Sequence, residues 1–164
     1  MTIRYVLGVC TALFFASSAV AEQPEILLAK MDKAGRSIAS EKCLHPSKIF
    51  KEPFQNRHEP SVADEIQTYT CSEFVAKVYS ARASNVTREL PMQVIVTQQN
   101  LHIPKNLSVG SLASDIRAIL GAPLRLEGSN MVYSLNDEST GEDTLTFTIS
   151  ADRVRSVAWR WDVD

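Results

Sequence analysis

The chain has 164 residues, 45% of them hydrophobic, with 17 Lys and Arg against 19 Asp and Glu and a formal net charge of −2. That is enough apolar material for one domain, or for two small halves sharing a core. There is no basic excess and no Lys/Arg cluster with interleaved aromatics, which argues against a nucleic-acid partner.

The chain opens on a segment that reads as a targeting signal rather than as part of a domain. Arg4 gives a positive start, Tyr5 to Phe15 is apolar apart from Gly8 and Thr11, and Ala19-Val20-Ala21 is a small-x-small site before Glu22. This pattern predicts a secretory signal peptide over 1–21. It implies a periplasmic or secreted bacterial protein with no membrane anchor after cleavage. A retained transmembrane helix fits less well, because the run is short and ends in small residues. Lipidation at Cys10 also fits less well, because Val9 stands where a small residue is wanted. Cleavage removes Arg4 and Cys10. The 17 basic side chains less Arg4 leave 16 against 19 acidic ones, and the cysteines left are Cys43 and Cys71. An even pair in an oxidising compartment predicts a disulfide. It would close the loop 43–71, worth about 3–4 kcal/mol in the chain-entropy model.

Residues 22–39 read as a helix, with Leu27, Leu28, Met31, Ala34 and Ile38 at helical spacing and Pro24 near its start. Gly35 weakens its far end. Residues 44–62 read as a long Pro-rich loop, punctuated by Pro46, Pro53 and Pro60 and pinned by Ile49, Phe50 and Phe54. The period then switches to two. Glu65–Cys71 and Phe74–Ser80 form a hairpin about Ser72-Glu73, and Ala81–Asn85 turns into a third strand over Glu89–Thr97. Pro91 marks that strand as an edge or a late start. Gln98–Ser108 is a connection.

A second helix is expected over Leu112–Leu120. Ser111 would cap it, Leu112, Ile116, Ile119 and Leu120 form its apolar stripe, and Gly121 and Pro123 stop it. Strands follow over Asn130–Leu135, Thr144–Ile149 and Val154–Val163. In the second, Leu145, Phe147 and Ile149 face inward and the threonines outward. In the last, Val157, Trp159, Trp161 and Val163 share a face. The expected class is α+β, antiparallel meanders packed against short helices. It is organised as 22–106 (helix, loop and three-stranded meander) and 107–164 (helix plus three-stranded meander), together one compact unit.

The run Val109-Gly110-Ser111, Asp115-Ile116, Leu120-Gly121-Ala122-Pro123, then Tyr133 on a strand and Trp159-Arg160-Trp161 at the end resembles a known repeat unit. It is the unit of the small outer-membrane assembly lipoproteins (SmpA/OmlA type) and of the beta-lactamase-inhibitor-protein-like (BLIP-like) domains. The resemblance covers about residues 107–164. It implies an exported, non-catalytic module that binds another protein through its sheet. The lipidated cysteine of the assembly lipoproteins is missing. The first half lacks the Gly-Ser…Leu-Gly-x-Pro pattern.

Catalytic constellations are sparse. The histidines are His45, His58 and His102, and no His-x-x-x-His, Gly-x-Ser-x-Gly or phosphate loop occurs. Cys43-Leu44-His45 with His58-Glu59 lacks a second closely spaced ligand pair for a metal. Asp137, Glu138, Glu142 and Asp143 read as a solvated hairpin tip rather than a calcium site. No cofactor and no metal are expected. Trp159 and Trp161 have two readings: core if the Leu112–Leu120 helix covers their face, a protein-binding hot spot with Tyr133 if the face is open. The loop tip at His58 is the next candidate contact. The leading expectation is a protein-interaction module of the cell envelope (an inhibitor, immunity or assembly factor) whose partner is another envelope or extracellular protein. An envelope small-ligand-binding or stress protein comes next, and a hydrolase last.

Overall fold

The computed structural model describes residues 22–41, 46–55, 63–83, 86–136 and 142–163. The expected signal peptide, Cys43, His45 and His58 lie outside these. The order of elements is α1 (Pro24–Glu41), β1 (Lys48–Gln55), β2 (Ala63–Thr70), β3 (Phe74–Ala83), β4 (Val86–Val96), a 3-10 turn at Lys105–Leu107, α2 (Ala113–Leu120), β5 (Arg125–Glu127), β6 (Asn130–Ser134), β7 (Thr144–Ser150) and β8 (Arg153–Arg160). The strands form one antiparallel sheet in the order β1-β2-β3-β4-β8-β7-β6-β5. Each half therefore reads helix, then a four-stranded meander. The two final strands, β4 and β8, meet at the centre over Gln93↔Arg160 to Val96↔Val157. Trp161 N–H extends that seam by donating to Met92 O at 2.9 Å.

The helices cover one face of the sheet. One row of residues runs along that face: Ile49, Tyr69, Ala76, Val94, Trp159, Leu145 and Tyr133. All but Ile49, on the edge strand, are buried. Met31, Ala34, Gly35, Ile38 and Ala39 fall on one helical stripe of α1 and seal the row from above. Ile116 and Leu120 of α2 join the same cluster. The α2 stop is as the local sequence predicts: Gly121 has φ +78° and its N–H donates to Arg117 O at 3.0 Å.

Several expectations need correction. The segment 44–62 is not all loop, since β1 runs through its middle. Its side chains are exposed on both faces, so no burial period marks it. Pro53 is tolerated because β1 is an edge strand. Pro91, by contrast, stands in a strand paired on both sides. It sits opposite Val78, where a register shift leaves Met92 as an extra residue and β8 pairing has not yet begun. Ser111 does not cap α2: Leu112 holds that position without a side-chain bond, and Ser111 Oγ donates to Lys105 O at 3.2 Å. A short strand, β5, precedes β6. On β8 the pairing jumps from Thr148↔Ser156 to Ile149↔Val154. Arg155 is thus a bulge, which brings Val154 to the core side with Val157 and leaves Arg153 and Arg155 exposed.

Candidate functional site

The C-terminal aromatics belong to the core. Trp159 is 0% and Trp161 3% exposed, and Tyr133, two strands away across Leu145, is buried as well. Trp159 Nε1 donates to Met31 O at 2.8 Å and Trp161 Nε1 to Asp32 Oδ1 at 2.7 Å. The Arg36 guanidinium lies 5.1 Å from the centre of the Trp161 ring, and its Nε donates to Asp32 at 2.9 Å. Tyr133 stacks edge-on against Phe147 and donates its hydroxyl to Gly121 O at 3.2 Å; burial pushes its pKa up against the pull of Arg117. The helix over the tryptophans is α1, not α2. These three residues therefore offer no contact surface, which corrects their reading as a partner-binding patch. His58 lies outside the described residues.

The opposite face carries no helix among the described residues. Because side chains alternate along each strand, register places three rows there. The first crosses all eight strands: Lys48, Thr70, Val75, Ile95, Ala158, Thr146, Val132 and Arg125. The second runs Phe50, Thr68, Lys77, Gln93, Arg160, Thr144 and Ser134. The third holds Glu52, Ile66, Tyr79 and Leu90. At ordinary strand spacing the eight strands span roughly 30 Å. The middle of the face is half-buried and partly apolar, with Val75, Ile95 and Ala158 adjacent. Phe50 at one edge is 51% exposed. Lys77 and Arg160 set two cations in the central row, on either side of Gln93.

At the β1–β3 end Phe54 meets Tyr79 edge-on, with ring centres 5.5 Å apart. Tyr79 donates its hydroxyl to Asp64, a carboxylate only 2% exposed. That hydrogen bond, then burial and then the negative charge itself, push the Tyr79 pKa up to about 12. The cluster anchors the aromatic end of the face. Sequence reading missed it. Tyr79 alternates with the core residues of its strand, which was visible, but the register that brings it beside Phe54 and Asp64 was not.

The remaining candidates are dispersed. His102 Nε2 lies 3.1 Å from Glu41 Oε1. It lines an open cleft of about 490 Å³ in the β4–α2 connection, together with Gln99, Asn100, Pro104, Lys105 and Ser108. Of the acidic tip, Asp137 and Glu138 lie outside the described residues. Asp143 accepts the Asp162 N–H at 2.9 Å and sits 3.8 Å from Arg36. Among the described residues no three His, Cys, Asp or Glu side chains gather as a metal site, and no helix is long and apolar enough to cross a membrane. Cys71 is disulfide-bonded. Comparison with family models, with curated proteins and with solved structures finds no match to this chain.

Proposed function

We propose that the chain is an exported, non-catalytic module of the bacterial cell envelope that binds another protein through the helix-free face of its sheet. It would act as an inhibitor, immunity or assembly factor, in the manner of the SmpA/OmlA and BLIP-like units its second half resembles. The observation that carries this reading is the division of labour between the two faces. The tryptophans are spent on the core under α1. The other face offers a half-exposed surface across β1–β4 and β8, with an apolar centre, Phe50 at its rim and the Lys77 and Arg160 cations in its middle row, while Val132 and Thr144 towards β6 are buried. Such a face suits a partner whose surface is partly apolar and acidic. Each half of the chain is a helix followed by a four-stranded meander, and we read the two as copies of one unit. We also propose that Cys71 pairs with Cys43, and that residues 1–21 direct export.

The test is capture from an envelope extract by the mature chain and by the double variant Lys77→Glu/Arg160→Glu, with bound proteins identified by mass spectrometry. A protein retained by the wild type and lost by the variant, with both melting alike, is the expected result. A wild type that retains nothing, or a variant that retains the same protein equally well, overturns the reading.

A further inference from the structure

The edge strand β1 points to a second copy of this chain as its partner. The backbone phase of β1 can be derived. Cys71 N–H donates to Phe74 O, which makes Cys71 and Phe74 a hydrogen-bonded pair. Such pairs recur every second residue of an antiparallel ladder. Tyr69, Gln67 and Glu65 therefore direct their backbone groups at β3, and Thr70, Thr68, Ile66 and Asp64 direct theirs at β1. The β1 residues opposite the latter are Lys48, Phe50, Glu52 and Phe54. The backbone groups of Ile49, Lys51, Pro53 and Gln55 are left on the outer edge of the sheet. Among the described residues β1 is the terminal strand there, and Ile49 and Phe50 are about half exposed, at 49% and 51%. An edge of this kind is a template for another strand.

Pro53 and the charges on β1 are also what proteins use to discourage edge pairing. Here they select a register instead. Two copies of β1 related by a two-fold axis must pair outer-edge residues with each other. Centred on Lys51, the arrangement sets Lys51 against Lys51 and spends a bond on Pro53, which has no N–H. Centred on Glu52, it sets two carboxylates face to face, and like charges directly opposite are destabilising. Centred on Phe50, it avoids both. Ile49 and Lys51 then exchange backbone hydrogen bonds with Lys51 and Ile49 of the second copy, and Pro53 falls beyond them. Phe50 meets Phe50 as a non-hydrogen-bonded pair, the closer-packed kind. Lys48 stands opposite Glu52 on each side of the axis, so both charges of that face are matched.

We propose that the protein forms a symmetric dimer by antiparallel pairing of β1 with β1, with Phe50 on the two-fold axis and Lys48–Glu52 pairs flanking it. The two sheets become one of sixteen strands, and their helix-free faces run on continuously. This assembly is independent of which protein, if any, that face binds.

The experiment is sedimentation equilibrium of the mature chain from roughly 1 µM to 1 mM, with thermal melting of each variant as the folding control. The wild type is expected to show a monomer–dimer equilibrium. Phe50→Asp should weaken it by about tenfold or more, and Lys48→Glu by roughly five- to tenfold. The charge swap Lys48→Glu/Glu52→Lys should restore it to within about threefold of the wild type. Under mild oxidation Phe50→Cys should give a covalent dimer, whereas Ile49→Cys, which faces Lys51 in this register, should not. A wild type that stays monomeric throughout, a dimer indifferent to Phe50→Asp, a swap that fails to restore, or crosslinking at position 49 rather than 50 would each overturn the proposal.

Discussion

Gly35 sets two rules of helix chemistry against each other. It lies in the interior of α1, where Ala is favoured over Gly by about 1 kcal/mol, and from sequence it read as a weak point. The Trp159 ring explains it. A Cβ built on Gly35 would stand 2.7 Å from Trp159 Cδ1 and Cγ. That ring has nowhere to retreat, being held by Met31 O and packed between Val94 and Leu145 of the flanking strands. Overpacking of a filled core costs about 1–3 kcal/mol, so the close approach outweighs the propensity. Gly35→Ala should lower the unfolding free energy by roughly 1–2 kcal/mol in urea denaturation. A stabilised variant would show that α1 does not press on Trp159. The same contact makes Trp159 and Trp161 legible in hindsight. Their shared face was read correctly from the alternation. What lay over it was not, because the helix that covers them is more than a hundred residues earlier in the chain.

Among the elements, those with one face buried were readable and those without were not. On β7 Leu145 and Phe147 are buried as its pattern requires, while Thr144, expected outward, is buried too and Ile149, expected inward, is half-buried. α2 follows its apolar stripe and stops at Gly121. β1 and β5 left no trace, because their side chains are mostly exposed on both faces and no period can mark them. The Ser111 cap failed for another reason: α2 starts one residue later than the pattern suggests, with Leu112 at the cap position, and the Ser111 hydroxyl instead donates to Lys105 O, six residues back across the 3-10 turn. The bulge at Arg155 shifted the first two residues of β8, Arg153 and Val154, by one, which no parity argument anticipates. The β7–β8 hairpin shows an element built against local preference. Its two loop residues, Ala151 and Asp152, both have positive φ, +49° and +61°. A two-residue hairpin of this hand favours Asn or Gly at such positions, and alanine there carries left-handed strain. Ala151→Asn should therefore stabilise the protein by about 0.5–1 kcal/mol, read as a rise in denaturant midpoint with unchanged slope. A lower midpoint would mean that the turn is not of this type.

At the scale of the whole molecule, the decisive feature is the seam between β4 and β8. It joins residues 93–96 to 157–160, a pairing that no local pattern announces. It turns two helix-plus-meander units into one sheet with a face closed by helices and a face that carries none among the described residues. The assignment of function depends on which face is which, because the chain's only tryptophans lie on the first. Equilibrium unfolding of Trp161→Ala beside Lys77→Glu/Arg160→Glu decides it. With Trp161 packed under α1, bonded to Asp32 and covered by Arg36, its truncation should cost about 3–5 kcal/mol. The charge reversals on the opposite face should change stability by no more than about 1 kcal/mol, as surface substitutions do. A Trp161→Ala protein within about 0.5 kcal/mol of the wild type would contradict the account, since it would make the tryptophan face the open one.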